Sequence, residues 1–201
     1  MKSKDKIIQL YNRQIAVLPP DNPFIHLNNR QYSVCLGSIM RDKIFANSSV
    51  LDLGCATADI LNFLDKHVLE SIDYTGMDIN SKFLDINVNK WKSYDNIKFM
   101  NYDIIDKTID NTYDIILIND TFAYFETKDI IEMIDYYSSK ANVLLSFSLL
   151  LYGRLLPEHL LIEQKEYIPI IEYVIRKYPY VTIDKISQPE RLRIDITKGD
   201  S

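Results

Sequence analysis

The chain has 201 residues, of which 47% are hydrophobic and 25% are charged. This length suits one α/β domain with a substantial core, and the composition is that of a folded protein rather than a disordered one. The formal net charge of −5 gives no general attraction to polyanions, so nucleic acid is disfavoured as a substrate.

The cellular location follows from the cysteines and from the apolar runs. Cys35 and Cys55 are too few for a disulfide framework or a zinc site, which favours a reducing compartment. The basic residues 1–6 are not followed by an apolar core of signal-peptide length, and the apolar run 143–152 is too short to cross a bilayer. We therefore expect a cytoplasmic protein without a membrane segment.

Apolar residues at helical spacing predict an amphipathic helix over residues 3–16, which the proline-containing segment 18–23 ends. A second helix is predicted over residues 29–45. Strands and helices then alternate. The predicted strands cover residues 49–53, 74–78, 97–101, 113–119 and 142–149, and the predicted helices cover residues 58–67, 81–92 and 128–140. This alternation indicates a parallel sheet with helices on both faces.

The last fifty residues depart from this rhythm. Residues 158–178 are predicted to form one or two helices, with Pro169 at a start or a kink. Two strands over residues 181–187 and 191–197 are joined by a short connection, which makes an antiparallel hairpin. One reversed strand is therefore expected in the sheet. We find no repeat or linker that would divide the chain.

The residues that carry chemistry begin at the first predicted strand. Residues 50–59, VLDLGCATAD, pass from an apolar run through Gly54 into a helix-like pattern, and the next predicted strand ends at Asp78. A helix start offers unpaired backbone N–H groups, glycine lets a ligand approach closely, and the carboxylate can accept from both ribose hydroxyls. Neither the dinucleotide turn G-x-G-x-x-G nor a P-loop is present. The pattern predicts a pocket for an adenine nucleoside without phosphate.

Residues 50–59 resemble the first motif of class I S-adenosylmethionine-dependent methyltransferases, hydrophobic-Leu-Asp-hydrophobic-Gly-x-Gly-x-Gly. Ala56 and Ala58 stand at the second and third glycines, a departure with an energetic cost if either position needs a positive φ. Three further matches follow in the family's order. Asp78 corresponds to its ribose-binding acid, Asn-Tyr-Asp at 101–103 to the acid that binds the adenine amino group, and residues 113–120 to the strand beside the substrate.

The resemblance implies a three-layer α/β sandwich with a mostly parallel seven-stranded sheet, one antiparallel strand from the last hairpin, and a helical N-terminal cap. We expect a single domain over residues 1–201, made of a cap (1–47), a cofactor-binding half (48–150) and substrate-side helices with the terminal hairpin (151–201). The implied cofactor is S-adenosylmethionine, the implied product is S-adenosylhomocysteine, and no metal is required. The implied partner is a small molecule, with homodimerisation left open.

The resemblance also assigns cofactor-binding residues. These are Asp52, Gly54, Cys55, Ala56, Asp78, Ile79, Asp103, Ile104 and Asn119. Ile79 and Ile104 would cover the two faces of the adenine, although apolar residues are equally expected there as core. Asp52 is either a contact to the methionine part of the cofactor or a structural acid that holds backbone N–H groups.

Methyl transfer is an in-line displacement, for which the protein mainly supplies alignment. A base is needed only where the acceptor must lose a proton to become nucleophilic. Asp120 and Tyr124 follow the fourth predicted strand, and His159 follows the fifth, so these three are the candidate catalytic residues. Asp120 is equally suited to be a turn cap, and His159 to be a surface residue. The segment 119–124 lacks the Asn-Pro-Pro-Tyr pattern of enzymes that methylate amino groups of DNA bases.

Aromatic and hydrogen-bonding residues outside the cofactor half could form a lid over the acceptor. They are Tyr11, Asn29, Arg30, Tyr32, Tyr152 and Arg154. Such a lid suits a small polar acceptor methylated at oxygen or nitrogen, such as a sugar, an amino acid derivative or a natural-product intermediate. Two alternatives remain: an inactive binding or partner protein of the same fold, and a nucleotide-dependent oxidoreductase or transferase, which the missing glycines disfavour.

Overall fold

The computed structural model describes residues 42–150, 167–187 and 190–199, together with the single positions 5, 8, 9, 12 and 16. Those single positions are all helical, in agreement with the helix predicted over residues 3–16. Residues 42–45, the described end of the second predicted helix, form a turn and irregular chain, so that prediction is wrong at its end. The rest of the predicted cap lies outside the described residues.

The chain divides into two compact units, a first unit of residues 2–104 and a second unit of residues 105–201. The first unit contains the strands β1 (Ser49–Leu53), β2 (Asp73–Asp78) and β3 (Ile97–Asn101). They are parallel and lie in the order β3-β2-β1. All three strands lie within one residue of their predicted positions.

The helix predicted over residues 58–67 is wrong. A short 3₁₀ helix (Asp59–Phe63) and the helix α1 (Lys66–Leu69) stand in its place. Ala58, at the start of this segment, has a left-handed backbone with φ 49°. The chain then closes i to i+3 bonds, with the Leu61 N–H donating to the Ala58 carbonyl at 3.1 Å. The left-handed entry prevents a continuous α-helix from starting in this turn.

Helix α2 (Ser81–Trp91) connects β2 to β3 and packs against both strands. Asn80 caps its start, since the Asn80 side chain accepts from the Lys82 N–H at 3.0 Å. Phe83, Leu84, Asn87 and Trp91 are its buried residues. Their spacing places them on one face, so the helix is amphipathic as predicted, with a buried amide among the apolar groups.

The described residues of the second unit form four strands and two helices longer than four residues. They are β4 (Tyr113–Ile118), α3 (Thr127–Lys140), β5 (Ala141–Leu150), α4 (Ile168–Lys177), β6 (Val181–Ser187) and β7 (Glu190–Thr197). β4 and β5 are parallel, whereas β7 runs antiparallel to both β5 and β6. The predicted hairpin and its single reversed strand are confirmed. Pro169 lies in the first turn of α4, where proline is tolerated.

The seven strands form a sheet in the order β3-β2-β1-β4-β5-β7-β6. Its mostly parallel character and its final antiparallel strand confirm the predicted fold class. Residues 115–118 of β4, all apolar, have no exposed surface. A continuous apolar run of this kind is typical of a parallel strand that is covered on both faces. None of the helices in the described part of the chain has the length and apolar character needed to cross a membrane.

Candidate cofactor and acceptor sites

The segment after β1 has an alternating left-handed backbone. Gly54, Ala56 and Ala58 have φ angles of 73°, 45° and 49°. For residues with a Cβ this conformation costs roughly 1–2 kcal/mol each, and such strain is typical of functional sites. Both alanines therefore occupy positions that need a positive φ, the case in which the departure from the family's glycines carries an energetic cost. We call residues 54–58 the cofactor turn.

Backbone hydrogen bonds attach the cofactor turn to the end of β2. The N–H groups of Gly54 and Cys55 both donate to the Met77 carbonyl, at 2.7 and 3.0 Å. Within the turn, the Ala58 N–H donates to the Cys55 carbonyl at 2.7 Å. The turn is thus fixed to the neighbouring strand at the residue before Asp78.

Asp78 lies at the end of β2 and is 8% exposed. Its Oδ2 accepts from the Ala56 N–H at 3.0 Å and its Oδ1 from the Asn80 N–H at 2.8 Å. Burial raises the pKa of this carboxyl, and the backbone donors oppose that shift. A third backbone donor, the Ile79 N–H, also bonds this carboxyl, so the carboxylate is held in place and keeps acceptor capacity for a ligand hydroxyl.

The segment 101–103, at the end of β3, contacts the backbone next to the Asp78 carboxylate through Asn101. The Asn101 side chain donates to the carbonyls of Asp78 and Ile79, at 3.1 and 3.0 Å, and so fixes the backbone around the carboxylate. Asp103 follows as a half-buried residue, and Ile104 is buried at 6% exposure. Ile79 is half-buried. The first unit therefore carries eight of the nine predicted cofactor residues on β1, on the ends of β2 and β3, and on the segments that follow these strands.

Asp52, on β1, is 5% exposed and has a specific partner. Its Oδ2 accepts from the Tyr74 hydroxyl of β2 at 2.7 Å. Burial raises the pKa of Asp52 to about 7, the Tyr74 hydrogen bond opposes this, and the charges of Asp78 and Asp59 add to it. The partner of the Asp52 carboxyl is thus the Tyr74 hydroxyl of the neighbouring strand. The sequence did not predict Tyr74 as this partner.

Asp52, Asp59 and Asp78 are three buried carboxyl groups within the first unit. Burial raises the pKa of Asp59 to about 6, with the Thr57 hydroxyl and the Lys90 charge opposing. A cationic ligand suits such a cluster, since positive charge stabilises the ionised carboxylates.

Two buried amide atoms in the first unit also lack partners. The Nδ2 of Asn80 and the Oδ1 of Asn87 have no hydrogen-bond partner within the described part of the chain. Asn80 is 1% exposed and Asn87 has no exposed surface. Because buried polar atoms without partners are rare, they indicate a place where a polar ligand or ordered water completes the hydrogen bonding.

Asp120 follows β4 in the second unit and has a left-handed backbone with φ 54°. Its N–H donates to the Ser148 hydroxyl at 2.7 Å, and that hydroxyl donates to Asp120 Oδ1 at 2.9 Å. The same Oδ1 accepts from Arg191 Nε at 2.6 Å. The side chain of Asp120 remains 25% exposed, whereas that of Arg191 is 9% exposed.

Sequence reasoning missed Ser148, Arg191 and Tyr167 around this carboxylate. Burial raises the pKa of Tyr167 to about 12, the Asp120 charge adds to the shift, and the Arg191 charge opposes it. Of the predicted residues, Tyr124 is half-buried in the 3₁₀ helix Thr121–Tyr124. Asn119 has a buried Oδ1 with no hydrogen-bond partner in the described ranges. The sequence signal that could have pointed to Arg191 was the alternation of arginine with apolar residues in β7.

The remaining predicted site residues lie outside the described residues. They are Tyr11, Asn29, Arg30, Tyr32, Tyr152, Arg154 and His159.

A family model described as a methyltransferase domain matches residues 51–140. This range contains the cofactor turn, Asp78 and Asp103, and it ends at the last residue of α3. Residues 51–140 of the chain are therefore similar to a methyltransferase domain.

Solved structures of methyltransferases share the fold of this chain. Magnesium protoporphyrin IX methyltransferase (ChlM) from Synechocystis PCC 6803 with bound SAM is 14% identical, with a TM-score of 0.69 over 99% of this chain and 98% of that chain. The N-methyltransferase NodS from Bradyrhizobium japonicum WM9 in complex with S-adenosylhomocysteine is 16% identical, with a TM-score of 0.66 over 96% of this chain and 98% of that chain. A SAM-dependent methyltransferase from Aquifex aeolicus is 14% identical, with a TM-score of 0.63 over 89% of this chain and 98% of that chain. A search of the curated proteins gives no match.

The residues of the first unit fit S-adenosylmethionine, the cofactor that the sequence resemblance implies. S-adenosylmethionine carries a ribose diol, for which the buried Asp78 carboxylate is an acceptor. Its sulfonium and ammonium groups are positive, which suits the buried carboxyl groups Asp52, Asp59 and Asp78. The amide atoms of Asn80 and Asn87 that lack protein partners add hydrogen-bonding capacity close to the turn.

Proposed function

We propose that the chain is a class I S-adenosylmethionine-dependent methyltransferase that methylates an oxygen or nitrogen atom of a small polar metabolite, such as a sugar, an amino acid derivative or a natural-product intermediate. The observation that carries the proposal is the Asp120 carboxylate, which is partly exposed and held by Ser148 and Arg191. A fixed carboxylate selects hydroxyl or amine donors over apolar groups, because its lone pairs need hydrogen-bond donors. The net charge of −5 also favours a small molecule over nucleic acid.

The proposed cofactor contacts follow the geometry of the first unit. Asp78 accepts from the ribose hydroxyls, Asp103 from the adenine amino group, and Ile79 and Ile104 cover the adenine faces. The backbone of Gly54, Cys55 and Ala56 lies against the methionine part, Asp52 adds negative charge there, and Asn119 contributes a hydrogen bond. Bound S-adenosylmethionine supplies an activated methyl group on its sulfonium sulfur, so alignment is the protein's main task.

On the acceptor side, Asp120 is proposed to orient the acceptor group. Its Oδ1 already accepts from Ser148 and Arg191, which fixes the carboxylate plane. Its Oδ2 has no hydrogen bond among the described residues and can accept from a hydroxyl or an amine. Asp120 can also take the acceptor's proton where the acceptor must lose one. Tyr124 and His159 remain the other proposed catalytic residues.

The proposal is tested in two steps with the purified chain. Calorimetric titration with S-adenosylmethionine, S-adenosylhomocysteine and NAD comes first, and binding of the first two without NAD is expected. Transfer of labelled methyl from S-adenosylmethionine to sugars, amino acid derivatives and small amines follows. Cofactor binding without transfer to any acceptor would favour the inactive binding protein instead.

The role of Asp120 is tested separately, with Asp120→Asn. This change is expected to lower kcat/KM for the acceptor by about 1.5–3 kcal/mol, or roughly tenfold to a hundredfold, and to leave cofactor affinity unchanged. The matched control is Asp184→Asn, because Asp184 is also ion-paired with an arginine of β7 but is 52% exposed. Equal activity of the Asp120 variant and the control would contradict the assignment.

A further inference from the structure

Helix α2 contains a fully buried amide whose partner is the cofactor turn. Asn87 has no exposed surface. Its Nδ2 donates to the Ala56 carbonyl at 2.6 Å and lies 3.9 Å from the Cys55 sulfur. Asparagine is a weak helix former, and burying an amide is costly unless it makes hydrogen bonds. The hydrogen bond to Ala56 therefore offsets part of the cost of burying Asn87 and indicates a role for this side chain.

Side chains hold both peptide groups of Ala56. The Ala56 N–H donates to Asp78 Oδ2 at 3.0 Å, and the Ala56 carbonyl accepts from Asn87. Between these two bonds Ala56 has a φ of 45°, a conformation that alanine disfavours and glycine does not. A residue in this conformation persists only where its surroundings hold it.

We infer that Asn87 is a positioning residue for the cofactor turn. By binding the Ala56 carbonyl, Asn87 keeps Ala56 left-handed, so that the Ala56 N–H meets Asp78 and orients its carboxylate. The inference rests on the proposed binding of the ribose by Asp78. A glycine at position 56 would adopt this backbone without support, so the need for Asn87 comes from the alanine that stands there.

The test is a double-mutant cycle of Asn87→Ala and Ala56→Gly, read by calorimetric affinity for S-adenosylmethionine. With Ala56 in place, loss of the Asn87 side chain is expected to weaken binding about tenfold, the scale of one hydrogen bond. In the Ala56→Gly background the same loss is expected to cost less than about threefold. An Asn87 that only packs the helix would cost the same factor in both backgrounds.

Amide hydrogen exchange gives a second readout that needs no cofactor. In the ligand-free protein, Asn87→Ala is expected to speed exchange of the Ala56 and Ala58 amides about tenfold, and Ala56→Gly to remove most of that increase at position 58. If Asn87→Ala does not fold, Asn87→Ser is used, since its shorter side chain cannot reach the Ala56 carbonyl in the same way. Unchanged exchange in a folded variant would overturn the inference.

Asn89→Ala is the matched control. Asn89 lies on the exposed side of the same helix, and its amide donates to the Asp85 carbonyl of that helix at 2.9 Å. This variant is expected to leave both affinity and exchange of the turn unchanged. If the unmodified protein does not bind S-adenosylmethionine, the proposed cofactor contacts fail, and the exchange experiment still decides the role of Asn87.

Discussion

The backbone N–H of Ala56 donates to Oδ2 of Asp78 at 3.0 Å. This bond connects the turn after β1 to the carboxylate at the end of β2. The two strands are parallel neighbours, with Leu53 opposite Met77, so the turn and the carboxylate emerge side by side. The proposed acceptor for a ribose is thus oriented by the fold before any ligand binds, which reduces the entropy lost on binding.

Asp78→Asn is expected to weaken S-adenosylmethionine binding by about 1.5–3 kcal/mol, because an amide NH₂ would face a backbone donor and the charge would be lost. Calorimetric titration measures the change. The control is Asp73→Asn, at the other end of β2, where the side chain is 64% exposed. Equal affinities of the two variants would remove Asp78 from the ribose site.

The left-handed backbone of Ala58 predicts an unusual tolerance of glycine. Ala58 has a φ of 49°, whereas Ala141 has an ordinary φ of −86°, and both are buried. Both glycine variants lose a buried methyl group and gain unfolded-state entropy, but only Ala58→Gly also removes backbone strain. Urea unfolding is expected to show Ala58→Gly as less destabilising than Ala141→Gly by roughly 1–2 kcal/mol. The opposite order would show that the turn is not strained.

The buried Asp52 predicts that stability falls as the pH rises. Its pKa goes from an ordinary value of 3.8 to about 7 in the fold, so between these values the folded state holds a proton that the unfolded state has lost. The free energy of unfolding is therefore highest below pH 3.8 as far as this group is concerned, and it decreases up to about pH 7. One such group contributes a slope of at most about 1.4 kcal/mol per pH unit.

Asp52→Asn is expected to make the free energy of unfolding decrease less steeply with pH. Urea unfolding between pH 5 and pH 8 measures this, because that range covers the upper part of the titration and the values above it. The asparagine carbonyl can still accept from Tyr74, so the hydrogen bond is retained. Asp73→Asn, which changes an exposed carboxylate, serves as the control. An unchanged slope in Asp52→Asn would contradict the assigned titration.

Two aspartates share one nitrogen of Arg193 in the second unit and should differ in importance. Nη2 lies 2.9 Å from both Asp195 and Asp184, but the Asp195 side chain is 2% exposed and the Asp184 side chain 52%. Loss of the buried partner leaves the buried guanidinium with only the solvent-exposed Asp184, so Asp195→Asn is expected to cost about 3–5 kcal/mol of unfolding free energy. Asp184→Asn is expected to cost less than about 1 kcal/mol. Similar losses would show that burial does not set the strength of this pair.

The sequence predicted the strands well because their signal is local. Strands β1, β3 and β6 lie where the apolar runs place them. Strands β2, β4 and β7 differ from their predictions by one residue at one end, and β5 differs by one residue at each end. The helix predicted over residues 58–67 failed because its apolar spacing does not report the backbone at Ala58. At the nearby left-handed Ala56, the backbone is held by contacts from Asp78 and Asn87, which lie on other elements.

The second unit shows the same limit for charged residues. In β7, Arg191, Arg193 and Asp195 alternate with apolar residues, a pattern typical of a strand with one solvent face. Instead all three are buried, at 7%, 3% and 1% exposure. The register that pairs β7 with β5 brings Ser146 to Asp195, and the tertiary fold brings Asp120 to Arg191. Neither pairing can be predicted from periodicity.

The sequence by itself predicted the strands along the chain, the glycine turn, the carboxylate of Asp78 and hence the proposed cofactor, because these depend on residues close together in the chain. Only the tertiary structure decided which side chains support them. Tyr74 binds Asp52, Asn87 holds Ala56, and Arg191 fixes Asp120, across separations of 22, 31 and 71 residues. Contacts over such distances arise from strand register and helix packing, and local residue patterns do not encode them.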